Sequence, residues 1–401
     1  MNPTPDGLQL PEPPAELRDL SQRLGERIAE EIRSSGPMTF DRYMAMALYE
    51  PGLGYYVNGL HKFGDAGDFV TSPEQGGLFA TAVAAQIDEI ADLLDGSYTI
   101  MEPGAGSGAL ARDLLKHLKT PPSRYLILEP SAALRQVQYE TLAALPSELS
   151  SRIEWLDEPP EQAFRGVILA NEVVDALPVC LFRTTDEGLA ERCVDIGPSR
   201  LIWADAPPGK RLKTALERLE ASLGASLPPD YISEICLDLP GWLRTISDSL
   251  AEGVVLLFDY GYPSREYYLP ERSRGTLVCH YRHRAHFDPF VWPGLNDVSA
   301  FVDFSAVAHG ALACGLEVAG FTTQADFMLG LGAHRWIEQT QDEHQRMRLA
   351  GELKRLIMPG EMGEKFKLLA LARAFNAPLG GLSESNRSDR LGAEVHERRL
   401  D

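Results

Sequence analysis

The chain has 401 residues, 44% hydrophobic and 24% charged, with 58 acidic against 38 basic side chains and a formal net charge of -20. These values exclude fibrous, collagenous and wholly disordered classes and give enough apolar residues for a large core. The negative field repels a phosphate backbone, so no nucleic acid is expected as a partner; it serves solubility or attracts a basic protein.

Five scattered cysteines, with no Cys-x-x-Cys pair, argue against a disulfide scaffold or a structural zinc. The opening residues lack a signal-peptide or presequence pattern, and no apolar run approaches the length of a membrane span. The expectation is a cytoplasmic protein with no membrane insertion. The chain leaves room for a homodimer.

Residues 1–14, rich in proline and polar side chains, read as a disordered tail. Leu17, Leu20, Leu24, Ile28 and Ile32 then recur at helical spacing up to the Gly36-Pro37 breaker. A second short helix follows from Thr39 to Tyr49. The next segment is crowded with turn residues, from Pro51 to Pro73, and is too long for a plain connector, which marks it as a lid or binding loop. With the helix from about Gln75 to Leu94, residues 15–96 form an N-terminal helical cap.

From residue 97 compact apolar runs alternate with helical stretches: Tyr98-Thr-Ile-Met-Glu, Tyr125-Leu-Ile-Leu-Glu, Gly166-Val-Ile-Leu-Ala-Asn and Val254-Val-Leu-Leu-Phe-Asp. Buried parallel strands have this appearance. Runs at Glu317 and Phe366 complete the sheet, and residues 376–401 read as a second disordered tail. The interval 176–250 is an insertion with β-like pieces of its own, expected to form a lobe, and 260–312 is a loop region. The fold class is α/β, a doubly wound sheet spanning 97–375 that takes its ligand at the carboxyl ends of the strands.

The stretch Ile100-Met-Glu-Pro-Gly-Ala-Gly-Ser-Gly carries the clearest chemistry. Gly104, Gly106 and Gly108 let a ligand approach the backbone, and the following helix start offers free N–H groups. Such a turn also fits a dinucleotide binder. Charge separates the two ligands, because Glu102 would repel a pyrophosphate but attract the ammonium and sulfonium of S-adenosylmethionine. Glu129, about 20 residues on, stands where an acid takes ribose hydroxyls, which both ligands possess. Asp157 is assigned to the adenine amino group. In the long early loop, Asp68, Ser72 and Glu74 are acceptors placed to close over the cofactor.

After the next core strand, Asn171, Glu172 and Asp175 supply an amide and two carboxylates where an acceptor must meet a donated methyl; a bland alternative is that the acids cap the next helix. If the acceptor is arginine, its guanidinium stays protonated and needs a carboxylate to hold it and polarise its nitrogen. His280, His283 and His286 invite a metal, but Arg282 and Arg284 disfavour a divalent ion, so no metal site is assigned and pocket lining or partner recognition is preferred.

Several motifs in order are similar to the MidA-type family of S-adenosylmethionine-dependent methyltransferases, which includes the mitochondrial complex I assembly arginine methyltransferase. They are Gly36-Pro-Met-Thr-Phe, Tyr49-Glu-Pro-Gly-Leu-Gly-Tyr-Tyr, Phe63-Gly-Asp-Ala-Gly-Asp-Phe-Val-Thr-Ser-Pro-Glu, Glu102-Pro-Gly-Ala-Gly-Ser-Gly, Ala170-Asn-Glu-Val-Val-Asp-Ala-Leu-Pro, Asp259-Tyr-Gly-Tyr and the run from Gly275 to Asp288. The resemblance covers nearly all of residues 26–375. It departs at Pro103 and Ala105, where Gly-Pro-Gly is the family's pattern, but the glycine positions survive. It implies a class I methyltransferase, Rossmann-like, with S-adenosyl-L-methionine on Glu102, the three glycines and Glu129, and Asn171, Glu172 and Asp175 in the post-strand motif. It also implies a protein substrate with an accessible arginine, in a subunit of respiratory complex I. A small-molecule methyltransferase and a non-catalytic assembly factor that binds the same cofactor are the alternatives.

Overall fold

The computed structural model describes residues 10–59, 72–94, 96–392 and 395. They divide into two compact units: one takes the chain up to Val70 with Val174–Leu239 and Ser264–Phe301, the other Thr71–Val173, Pro240–Pro263 and Val302 onward.

The second unit is built on a sheet of seven main strands: β1 (Thr99–Pro103), β2 (Arg124–Leu128), β3 (Ile153–Leu156), β4 (Phe164–Asn171), β5 (Leu250–Tyr262), β6 (Glu317–Thr323) and β7 (Phe366–Arg373). Their order is β6-β7-β5-β4-β1-β2-β3, with the short strand Val302–Asp303 paired to the end of β5. β1 to β5 are parallel, and β7 runs antiparallel to both neighbours. This is the doubly wound α/β sheet expected. The chain winds outward from β1 through β2 to β3, then returns to place β4 on the other side of β1, so the strand order switches between β1 and β4. The central strands read as unbroken apolar runs because helices cover both faces; Val167, Ile168 and Leu169 of β4 and Val254 to Phe258 of β5 are fully buried.

Two glycines permit this packing. Gly166 and Gly253 lie level with Thr99 across β1, β4 and β5. A Cβ on Gly166 would fall 1.9 Å from the carbonyl oxygen of Thr99, and one on Gly253 the same distance from that of Gly166. Both have positive φ, +148° and +134°, so only glycine fits. On one face of the sheet Phe258 meets Phe79 and Phe327 edge to face, each pair at 5.1 Å. The helix Leu78–Leu93 has no cap of its own; the carboxylate of Glu352, from the helix Glu343–Ile357, accepts its Leu78 N–H at 2.6 Å.

The disordered tail expected from 376 onward is corrected as far as residue 392. The short turns Gly380–Leu382 and Ser388–Leu391 bury Leu382 and Leu391, and Gly381 donates its N–H to Gln86 at 2.8 Å. Turns of three or four residues carry too few apolar side chains to show a period.

The first unit holds the helices Ala15–Ser35 and Phe40–Tyr49 and a five-stranded antiparallel sheet. Met38–Thr39 pairs with Gly188–Ile196, which pairs with both Cys180–Thr185 and Leu201–Ala206; Ile232–Ile235 closes the other edge. The strands of the predicted insertion therefore share a core with the first helices: Leu24, Ile28, Ile32, Phe40, Tyr43, Leu181 and Val194 form one buried cluster. The expected loop region contains a further three-stranded sheet, Val278–Tyr281, Arg284–His286 and Asp297–Ser299. Arg282 and His283, both at positive φ, make a two-residue hairpin turn. His283 stands at the turn, while His286 is buried opposite Cys279 and hydrogen-bonded to Asn296 at 3.1 Å.

Candidate active site

β1 ends in the glycine turn. Gly104, Gly106 and Gly108 have φ of +64°, +53° and +80°, left-handed positions that favour glycine and lead the chain into the helix Ala109–His117. The turn is anchored to β2 by the Gly104 N–H, which donates to the Leu128 carbonyl at 3.0 Å. Ser107 accepts the Ala109 N–H at 3.3 Å and donates its hydroxyl to Glu74 at 2.5 Å, so Glu74 of the early loop meets the turn.

Glu102 lies just before the turn and is 3% exposed. Its carboxyl accepts the Tyr125 hydroxyl at 2.7 Å, and burial pushes its pKa up to about 7 against the lowering effect of that hydrogen bond. The acid is therefore held inside the sheet rather than displayed at an open mouth.

Glu129 follows β2 and is also buried. One carboxylate oxygen accepts the Ser131 N–H at 2.9 Å and the other the Gln138 side-chain amide at 3.2 Å. Each oxygen has two acceptor sites, so both keep capacity for a hydroxyl, as a ribose diol requires. Burial raises the pKa of this group, and the two hydrogen bonds and Arg135 oppose the rise. Gln138 also reaches the Gly106 carbonyl and receives Trp155. Nothing in the sequence distinguished it, because a glutamine in an amphipathic helix reads as surface.

Asp157, assigned to adenine from sequence, pairs with Arg135 at 2.6 Å and is largely exposed. Ser72 is buried and donates to Gln324 at 3.0 Å, away in sequence from the turn. Asp68 lies outside the described residues.

Beyond β4 the chain turns sharply at Glu172, which holds φ +52° although it is not glycine. Such a conformation costs about 1–2 kcal/mol and persists where the surroundings impose it. Here the Glu172 N–H donates to the Phe258 carbonyl of β5 at 2.8 Å, fixing the turn to the sheet. Asn171 donates to the Glu172 carboxylate at 3.1 Å, and its own Oδ1 is buried with no hydrogen-bond partner among the described residues. The next residue, Val173, has its methyl 3.6 Å from where a Cβ of Gly104 would stand. The glycine turn and the Asn171-Glu172 turn are thus neighbours at the strand switch.

Asp175, grouped with Glu172 from sequence, belongs to the other unit, where its carbonyl accepts the Ala300 N–H at 3.1 Å. That unit contains a cluster the sequence did not announce: Tyr49 and Tyr56 stack at 5.7 Å, and Tyr56 donates to the buried Asp297 at 2.8 Å. Ring faces beside carboxylates are the surroundings a guanidinium prefers.

The cradle and the ribose-compatible acid fit S-adenosylmethionine. A family model described as "Putative S-adenosyl-L-methionine-dependent methyltransferase" matches residues 80–322. A crystal structure of a Burkholderia thailandensis protein bound to S-adenosyl-homocysteine is 38% identical, with a TM-score of 0.89 over 95% of this chain and 100% of that one. Among curated proteins, the mitochondrial protein arginine methyltransferase NDUFAF7 of Mus musculus is 28% identical over 394 residues, 89% of this chain and 86% of the relative. Its Danio rerio counterpart is 29% identical, with 88% and 87% covered. Both are named mitochondrial, which corrects the expectation of a cytoplasmic protein. That expectation rested on composition and the first few residues, and the body of an enzyme carries no address. No helix among the described residues is long and apolar enough to cross a membrane.

Proposed function

Given that the chain belongs to the S-adenosylmethionine-dependent methyltransferase family, we propose that it methylates an arginine side chain of a protein, with Glu172 holding the guanidinium. The observation that carries this reading is the strained turn at Glu172, a carboxylate kept at a costly backbone angle beside the glycine cradle. The relatives named protein arginine methyltransferases support the choice of acceptor.

Ala105, Gly106 and Ser107 would hold the cofactor by backbone N–H groups and Glu129 would hold it by its ribose. Bound there, S-adenosylmethionine supplies a methyl group activated by a positive sulfonium. The chain's own task is to present a nucleophile. A guanidinium nitrogen must shed a proton as its new carbon bond forms, and Glu172 both pairs the cation's charge and accepts that proton. A carboxylate 4 Å from the cation contributes about 4 kcal/mol at an effective dielectric of 20, before desolvation. Asn171, hydrogen-bonded to Glu172, orients it.

The first acceptor to test is a core subunit of respiratory complex I. Purified protein incubated with methyl-labelled S-adenosylmethionine and a lysate lacking the enzyme should label one arginine, as read by peptide mass spectrometry, and Glu172→Gln should abolish the label. Label confined to small molecules, or label unaffected by Glu172→Gln, would overturn the proposal.

A further inference from the structure

We propose that Gln138 is a positioning residue of the donor site, a strap that holds the glycine turn and the Glu129 carboxylate at one fixed spacing. This deepens the reading that the turn and Glu129 bind the nucleoside end of the cofactor, and rests on it.

Gln138 sits within the helix Ala132–Leu142 and is wholly buried. A buried amide costs free energy unless its donors and acceptor are used. Here they are. The indole N–H of Trp155 can only donate, and it lies 3.0 Å from the Gln138 Oε1. The amide oxygen must therefore face Trp155, which turns the NH2 group toward the Gly106 carbonyl at 3.1 Å and Glu129 Oε2 at 3.2 Å. Both of those are acceptors, so the two amide hydrogens each find a partner. A plane with one acceptor on one side and two donors on the other is what a primary amide offers, and neither an acid nor an ammonium reproduces it.

The strap is short because the helix backbone lies against the turn: a Cβ on Gly108 would stand 3.3 Å from the Gln138 Cα. One side chain thus joins the cradle to the acid on the next strand. A ligand that uses both pays less to order them when their spacing is already set.

Gln138 has a second effect on Glu129. Burial raises the Glu129 pKa, and the Ser131 N–H and the Gln138 amide are the two hydrogen bonds that oppose it. The other charged groups nearby are Arg135, whose Nε donates to the Glu129 carbonyl at 2.5 Å, and Asp157, paired with Arg135. Glu154 on β3 is paired with Arg124. Without Gln138, Glu129 takes up a proton at higher pH and loses acceptor capacity.

The test is calorimetric binding of S-adenosylhomocysteine to the full chain across pH 6–8, with Gln138→Leu, Gln138→Glu, Trp155→Phe and Glu129→Ala. Gln138→Leu should bind about tenfold more weakly, with the loss growing as pH falls. Gln138→Glu keeps the shape but sets a second carboxylate against Glu129 and the Gly106 carbonyl. It should bind still more weakly at pH 8 and recover toward pH 6, as one shared proton restores a hydrogen bond. Opposite pH slopes for the two variants are a signature that packing alone does not produce. Wild-type affinity in Gln138→Glu at pH 8 would overturn the proposal. If both Gln138 variants fail to fold, Trp155→Phe carries the test: several-fold weaker binding at an unchanged melting temperature is expected, and unchanged affinity overturns the strap. Normal binding by Glu129→Ala would instead remove the donor-site reading itself. Weakened binding by Glu129→Ala with normal binding by the Gln138 variants would remove only the strap.

Discussion

The Tyr125 hydroxyl lies 2.7 Å from a carboxylate oxygen of Glu102, and both side chains are buried within adjacent parallel strands. A neutral acid donates or accepts there without penalty, whereas a carboxylate must live on one hydroxyl. Burial wins, and the acid titrates near neutrality rather than near its ordinary 4.5.

Stability should respond to pH through this group. The folded chain keeps a proton that the unfolded chain releases above about 4.5, so the contribution of Glu102 is fully present below that pH and is lost as pH rises to about 7. The expected loss is about 3 kcal/mol. Glu102→Gln should flatten the urea-denaturation profile over that window; parallel profiles for the two proteins would contradict the assignment.

Glu172 separates strain from chemistry. Glu172→Gly removes the cost of a positive φ and should stabilise the fold by about 1 kcal/mol while abolishing methyl transfer. Glu172→Gln should keep donor affinity and lower the rate about 100-fold or more. Thermal melts and single-turnover assays read the two effects independently, and a Glu172→Gly variant less stable than wild type would show that the turn is relaxed.

Glu74 should matter through Ser107. Ser107→Ala and Glu74→Gln each weaken the contact between the early loop and the glycine turn, with donor binding about three- to tenfold weaker and little change in stability. The double variant should be no worse than the poorer single one, since both remove the same contact. Additive losses in calorimetry would show that the residues act separately.

Gly166→Ala should be among the most damaging single changes, because its Cβ would enter the Thr99 carbonyl from a backbone angle that L residues avoid. A loss of about 3–5 kcal/mol is expected. A melting temperature within a few degrees of wild type would mean that β1 and β4 can separate at that level.

The sheet was readable because strands buried on both faces leave unbroken apolar runs, and each run from Ile100, Leu126, Ile168 and Leu256 falls in a strand. The glycine turn was readable because positive φ and close approach restrict the residue type. Pairings made through side chains from distant segments were not. Ser72 meets Gln324, Gln75 meets Arg355, and Glu352 caps a helix that begins at Leu78, links of more than 250 residues that no local pattern encodes. Asp157 was read as free to meet a base because its partner, Arg135, lies in a helix whose polar face looked ordinary. The insertion was read as a separate lobe because an alternating pattern reveals a strand but not its neighbour, here Met38–Thr39.

The edge pairing of Met38 with Val194 has a consequence for synthesis. The first strand of that sheet leaves the ribosome some 150 residues ahead of its partner, and the unit that contains both takes its last segment from Ser264–Phe301. At about 5–20 residues per second the early segment waits roughly ten to thirty seconds with its backbone groups unpaired and the apolar stripe of Leu24, Ile28 and Ile32 uncovered. Emerging chains of this kind are exposed to holding chaperones and to one another for that interval. Slowing elongation between residues 40 and 190 should lower soluble yield more than the same delay placed after residue 301.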